Sequence, residues 1–254
     1  MARRIPKCAT ASPNFRTTPA GGRLTHETAS ATLAHNLLRK NIDNIAVTEP
    51  FTVNGHVTGF CHDFNVVYQV DIPRTAILVR KSLNFMPLKI ERDLIVLNID
   101  FKGLNVLFMR LYCPANDNLT DYIIKIESAV QRFWYQKIIV NGVFNAKSTA
   151  WGPRVTDYRG EEILEFIYRQ DLPLINFPDS PPIFDSSREI SWIDLTFTMN
   201  FDRKEIADRT VNSDEMCSDL KLITYNWHIE RFKKKIGEKK GSRAIKNIEF
   251  QEKS

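Results

Sequence analysis

Residues Phe133 to Gly152 read FWYQKIIVNGVFNAKSTAWG, and this stretch decides the fold. Ile138, Ile139 and Val140 form a short apolar run bounded by Lys137 and by Asn141-Gly142. A run of that length closed by turn formers predicts a buried strand leading into a loop. The loop carries an amide at Asn145, an amine at Lys147, a hydroxyl at Ser148 and an indole at Trp151. Polar side chains leaving a strand end are how α/β scaffolds usually build sites.

Upstream, Ile123, Ile126, Val130 and Phe133 recur at helical spacing, which predicts a helix from Leu119 to Trp134 with one face in the core. Thr120 or Asp121 can cap it. Asp93–Asp100 and Leu104–Leu111 alternate around Lys102-Gly103, a hairpin signature. Pro73–Arg80 and Ile42–Val47 read as strands, the second ending at Thr48-Glu49-Pro50. Leu33, Leu37 and Leu38 suggest an amphipathic helix from Thr28 to Arg39. Downstream, Arg159-Gly160-Glu161-Glu162 opens a helix that buries Ile163, Leu164, Phe166 and Ile167. After a Pro-rich loop from Phe177 to Phe184, residues 192–198 alternate as a strand. Asp194 there points away from the side taken by Ile193 and Leu195, and a carboxylate in that position is costly unless paired or functional.

The 254 residues are 43% hydrophobic and 26% charged, ordinary globular values that suit one large domain. No apolar run reaches the eighteen or so residues of a membrane span. The basic N-terminus lacks the apolar segment of a secretory signal, so an intracellular protein, nuclear or cytoplasmic and not secreted, is expected. Cys8, Cys61, Cys113 and Cys217 show no Cys-x-x-Cys pairing and are expected as free thiols. No zinc spacing, phosphate-binding loop or dinucleotide glycine motif is present, so no small-molecule cofactor is expected. The net charge of +5 is unevenly spread. Residues 1–23 hold five basic and no acidic side chains, and residues 229–254 hold nine against four. The body between them has 21 basic against 26 acidic, less basic than a surface gripping duplex DNA usually is. The expected organisation is a disordered basic tail over 1–23, one domain over 24–226 and a basic helix or tail over 227–254.

Several motifs occur in order: Thr48-Glu49-Pro50, Leu111-Tyr112-Cys113-Pro114, GVFNAKSTAWG from Gly142 to Gly152, RGEEILEFI from Arg159 to Ile167, Ser191 to Thr196, and Ser218 to Ile223. The ordered set resembles the endonuclease domain of non-LTR (LINE-type) retrotransposons, within the endonuclease/exonuclease/phosphatase superfamily that includes DNase I and the apurinic/apyrimidinic endonucleases. The resemblance implies a four-layered α/β sandwich, with two facing, mostly antiparallel sheets flanked by helices and a site built from loops at one end. It implies Mg²⁺-dependent phosphodiester hydrolysis that nicks target DNA. Glu49 would then be the metal ligand, a hard oxygen donor of the kind Mg²⁺ takes. Tyr112 would approach the scissile phosphate, Asn145 would bond the phosphate or the attacking water, and Asp194 and Asp219 would complete the polar shell. The resemblance also implies a chain that continues, in a full element, into a reverse transcriptase.

The chain departs from the family pattern at three places. Val143 stands where the family has its metal-associated catalytic Asp. Leu220 stands where it has its catalytic His. The stretch Thr25-His26-Glu27-Thr28 lacks the Asn that family members carry before the first helix. A general base contributes on the order of 10²–10⁴ in rate, and a transition-state hydrogen-bond donor roughly 10²–10³. Either loss would leave little turnover, so an inactive or strongly impaired copy is expected. A non-catalytic DNA- or protein-binding remnant is the alternative from another class, and a phosphatase of the same superfamily is a third reading.

Overall fold

The computed structural model describes residues 7–11, 33, 35, 38–60, 62–101, 103–185, 190–202, 204–212 and 221–227. Its strands come in the order β1 (Lys7–Ala11), β2 (Asn44–Thr48), β3 (Thr52–Val53), β4 (His56–Val57), β5 (Phe64–Tyr68), β6 (Thr75–Arg80), β7 (Asn84–Ile90), β8 (Leu94–Asp100) and β9 (Asn105–Tyr112). Helix α1 (Leu119–Arg132), β10 (Lys137–Val143) and helix α2 (Tyr158–Arg169) follow. The chain then forms β11 (Phe184–Asp185), β12 (Ile190–Ser191), β13 (Asp194–Met199), β14 (Ile206–Asn212) and β15 (Leu222–Trp227).

Two sheets dominate, one in the order β14-β15-β1-β2-β6-β5 and the other β13-β10-β9-β8-β7. Each is antiparallel apart from one parallel pair, β1 with β2 in the first and β9 with β10 in the second. The crossover from β9 to β10 is α1, which is what a parallel pair requires.

Side-chain alternation along the strands sorts the core into layers. Ile95, Leu97 and Ile99 of β8, Phe108 of β9 and Ile139 of β10 pack against Ala46, Ile77, Val79, Tyr225 and Trp227 of the other sheet. Their immediate neighbours Leu94, Val96, Leu107, Met109, Ile138 and Val140 point the other way, onto Ile123, Ile126 and Val130 of α1 and Ile163 and Phe166 of α2. On the far side, Ile45, Val47, Ala76 and Leu78 pack around Leu33, which is helical. The result is helix, sheet, sheet, helix: the four-layered sandwich expected from the motifs.

Three sequence expectations change. Lys7–Ala11 falls in the stretch read as a tail, yet it is a strand paired with β2 on one side and β15 on the other. It has no apolar periodicity of its own, and the backbone partners on both sides supply the order that pattern does not. Trp227, assigned to the C-terminal tail, ends β15 fully buried, with its ring 4.3 Å from that of Phe101. Leu38, counted in the apolar stripe of the first helix, is exposed. Of that helix only Leu33, His35, Leu38 and Arg39 are among the described residues, all helical. The remainder of residues 1–23, the stretch Thr25–Thr28, Asp219, Leu220 and the basic segment beyond Trp227 lie outside them.

Candidate active site

The ends of β2, β9, β10 and β13 meet at one end of the sandwich. In the five-stranded sheet, Val143 pairs with Tyr112 on β9 and with Asp194 on β13, so these three stand side by side at one level. Glu49 follows directly on β2, in the facing sheet. The Tyr112 hydroxyl crosses to it and donates to its Oε1 at 3.1 Å.

Glu49 sits at φ 47°, a left-handed conformation uncommon outside glycine. The amide of Glu49 donates to the Arg74 carbonyl at 2.8 Å, which holds the residue there. Its Oε2 is buried and has no hydrogen-bond partner among the described residues. A desolvated carboxylate oxygen without a donor is costly, and a hard cation would satisfy it. Glu49 therefore fits the role of a Mg²⁺ ligand.

Tyr112 is half-buried and its ring lies 5.3 Å from the Arg74 guanidinium. Burial, reinforced by the neighbouring Glu49 carboxylate, pushes its phenol up to about 12, so it stays a neutral donor at ordinary pH. Arg74 is fixed by two hydrogen bonds to Asp93, and this pairing holds its guanidinium even more firmly charged than usual.

Asn145 also lies in the left-handed region, at φ 48°, where Asn is tolerated better than most residues. Its Nδ2 donates to the Cys113 carbonyl at 2.9 Å, tying the loop after β10 to the loop after β9. Arg159 makes the same connection from α2, reaching the carbonyls of Phe144 and Asp117, both at 2.8 Å, and the Cys113 sulfur at 2.9 Å. Burial pushes the Cys113 thiol up, against the pull of Arg159.

Asp194 is buried, and as its strand pattern required, it is paired. Arg110 on β9, fully buried, donates to its Oδ1 at 2.9 Å. The other terminal nitrogen of Arg110 donates to the Thr48 hydroxyl on β2, so one guanidinium bridges both sheets. Its Nε has no partner among the described residues. A second arginine, Arg209 of β14, is pushed down to about 10 by burial, opposed mainly by Asp194. It donates to the Ser180 hydroxyl at 3.2 Å, while its Nε and Nη2 lack partners among the described residues.

Val143 is the anomaly. It is buried, yet it belongs to none of the apolar clusters that the described residues form. Its neighbours across both strands are the phenol and the carboxylate just described. Among the described residues no carboxylate takes its place. Asp157 caps α2, accepting from the amides of Gly160 at 2.7 Å and Lys147 at 3.0 Å. Asp117 accepts the Tyr122 hydroxyl at 2.7 Å and lies 3.8 Å from Arg74. Among the described residues no three His, Cys, Asp or Glu side chains cluster as a metal site.

The structure thus brings Glu49, Tyr112, Val143, Asn145 and Asp194 to one end. The loop residues Ser148 and Trp151 prove to be buried supports: Ser148 bonds Thr156 and Trp151 fills the core beside α2, while Lys147 is exposed. Sequence reading passed over Arg110, whose signal was available, since an arginine inside the run Val106–Tyr112 needs a buried partner for the same reason Asp194 does. Thr48, Arg74 and Arg209 offered no comparable pattern.

The two-sheet architecture is that of known structures. The endonuclease domain of TRAS1, a telomere-specific non-LTR retrotransposon, superposes with a TM-score of 0.75 at 20% identity, over 89% of this chain and all of that one. The AP endonuclease LMAP from Leishmania major gives a TM-score of 0.64 at 14% identity, over 89% of each chain. D. rerio TDP2 complexed with single-strand DNA product gives 0.59 at 10% identity, over 88% of this chain and 99% of that one. No curated protein matches the sequence. The chain has the DNase I-like fold that these structures share. Within that class, residues 106–224, from β9 into β15, match the family described as endonuclease-reverse transcriptase.

Proposed function

We propose that this chain is a non-LTR retrotransposon-type endonuclease domain, built to nick DNA with Mg²⁺, in which catalysis is lost or strongly impaired. The carrying observation is the buried Val143 between Tyr112 and Asp194, with no described carboxylate replacing it. Glu49 would hold the ion through its unpartnered Oε2, and the ion would supply charge neutralisation on the scissile phosphate. Tyr112, neutral to about pH 12, orients Glu49 and would donate toward the phosphate. Asn145, set by the Cys113 carbonyl, would fix the phosphate or the attacking water. Asp194, held by Arg110, keeps the polar wall beside them.

Val143 has no lone pair with which to orient or deprotonate water, and Leu220 has no proton to donate. The two losses need not multiply, because groups that act together are not additive. DNA is the proposed partner. An intracellular site of action is part of the same proposal, and among the described residues no helix is long and apolar enough to cross a membrane.

Nicking of supercoiled plasmid at saturating Mg²⁺ tests this reading. The natural chain is expected to be silent. Val143→Asp/Leu220→His is expected to nick, and Glu49→Ala in that background to abolish the gain. Glu49-dependent nicking by the natural chain would overturn the reading and reveal a substitute base. Silence of both chains, with salt-dependent DNA binding, would leave a binding module instead.

A further inference from the structure

Arg110 is a fully buried cation at the floor of the candidate site. It lies two residues before Tyr112 on β9, on the same strand face, and so one layer beneath the Tyr112–Glu49 hydrogen bond. There it contacts both sheets at once, Asp194 on β13 and the Thr48 hydroxyl immediately before Glu49. A buried guanidinium is tolerated only where negative charge compensates it. Asp194 is its ion-pair partner among the described residues, and this pairing engages the carboxylate that stands beside Val143 at the level of Tyr112.

We propose that Arg110 is a built-in counter-cation of the site: it claims the Asp194 carboxylate in place of a divalent ion and weakens cation binding at Glu49. This rests on the reading of Glu49 as the cation ligand. Glu49 and Asp194 bring two negative charges, Arg110 returns a positive charge in contact with Asp194, and Arg209 of β14 adds a second whose guanidinium feels the same carboxylate. A divalent ion therefore meets a site of reduced charge, with a fixed positive group one layer below it. A carboxylate restored at position 143 would stand beside Asp194 on β13, in a strand flanked by that of Arg110, and part of its charge would be drawn into the same ion pair. Arg110 is thus a positioning residue whose charge, and not only its shape, sets cation affinity. A unit charge in a partly buried setting readily shifts divalent affinity by on the order of tenfold or more.

Mn²⁺ binding by electron paramagnetic resonance, using the metal alone, tests this without catalysis. Val143→Asp is expected to bind Mn²⁺ on the order of tenfold more weakly than Val143→Asp/Arg110→Gln, in which the glutamine keeps a donor for Thr48 but carries no charge. Equal affinity in the two folded chains would overturn the proposal. Val143→Asp/Arg110→Lys, which keeps the cation, is expected to show no gain, and a gain there equal to that of glutamine would overturn it too. Where circular dichroism shows the glutamine chain unfolded, the lysine chain decides alone: affinity equal to that of Val143→Asp upholds the proposal, and a gain on the order of tenfold overturns it. Glu49→Ala in the tightest-binding chain separates the two readings. Loss of Mn²⁺ binding there keeps Glu49 as the ligand, whereas binding that survives it overturns both readings; equal affinity of the first two chains with binding lost here overturns the Arg110 proposal alone.

Discussion

Tyr112 and Arg110 show how single side chains govern this site. The phenol of Tyr112 has its ordinary value near 10 in the unfolded chain and about 12 in the native one. The native state therefore favours the neutral phenol. Its contribution to stability is complete below about pH 10 and is lost as pH rises through about 12. Tyr112→Phe is expected to flatten the alkaline loss of stability between those values, measured by urea unfolding across the range. Tyr122, whose phenol is also raised by burial, supplies a remainder that the substitution leaves in place. At Arg110 the expected effect is larger. Arg110→Met leaves the Asp194 carboxylate buried without its ion-pair partner, which costs about 3–5 kcal/mol. The midpoint of urea unfolding would report it, and a loss below about 1 kcal/mol would mean the pair contributes only what an exposed one does.

The elements that carry the site are braced by contacts that a motif string only partly reveals. Helix α2 begins at Asp157, whose carboxylate caps it at Gly160 and also accepts the amide of Lys147 in the site loop. Asp157→Ala is expected to lose about 1 kcal/mol for the cap and to loosen the Asn145–Trp151 loop, seen as faster amide exchange there. Gly160 shows two effects in competition. Helix propensity favours alanine over glycine by about 1 kcal/mol. A Cβ at 160, however, would stand 1.9 Å from the Lys147 carbonyl oxygen, which is backbone and cannot step aside cheaply. The clash wins, and Gly160→Ala is expected to destabilise by on the order of 2 kcal/mol. The helices and the central strands β8, β9 and β10 were legible because their apolar spacing is long and regular. The strands β7 and β14 were passed over, since β7 is almost wholly exposed and β14 half-exposed, which leaves little pattern to read.

The sandwich as a unit depends on a strand that looks like part of a tail. β1 lies between β15 and β2, so the six-stranded sheet is continuous only through it. A chain lacking residues 1–11 is expected to lose cooperative unfolding and to aggregate through the two strand edges it exposes, whereas one cut before Lys7 keeps the full sheet. Light scattering and thermal unfolding of the two chains would settle this. The identity of the scaffold lay in the chain itself, because buried strands and helices impose periodicities and the ordered motifs from Glu49 to Ile223 match one architecture. So did the two departures on which the proposed loss of catalysis rests, since Val143 and Leu220 are read directly against that pattern. What tertiary structure alone decided is which charges meet. Arg110 and Asp194 are 84 residues apart in the chain, and Tyr112 and Glu49 are 63 apart. No local pattern encodes such pairings, because the first needs β9 and β13 set on either side of β10 in one sheet, and the second needs the two sheets to close face to face and exclude water.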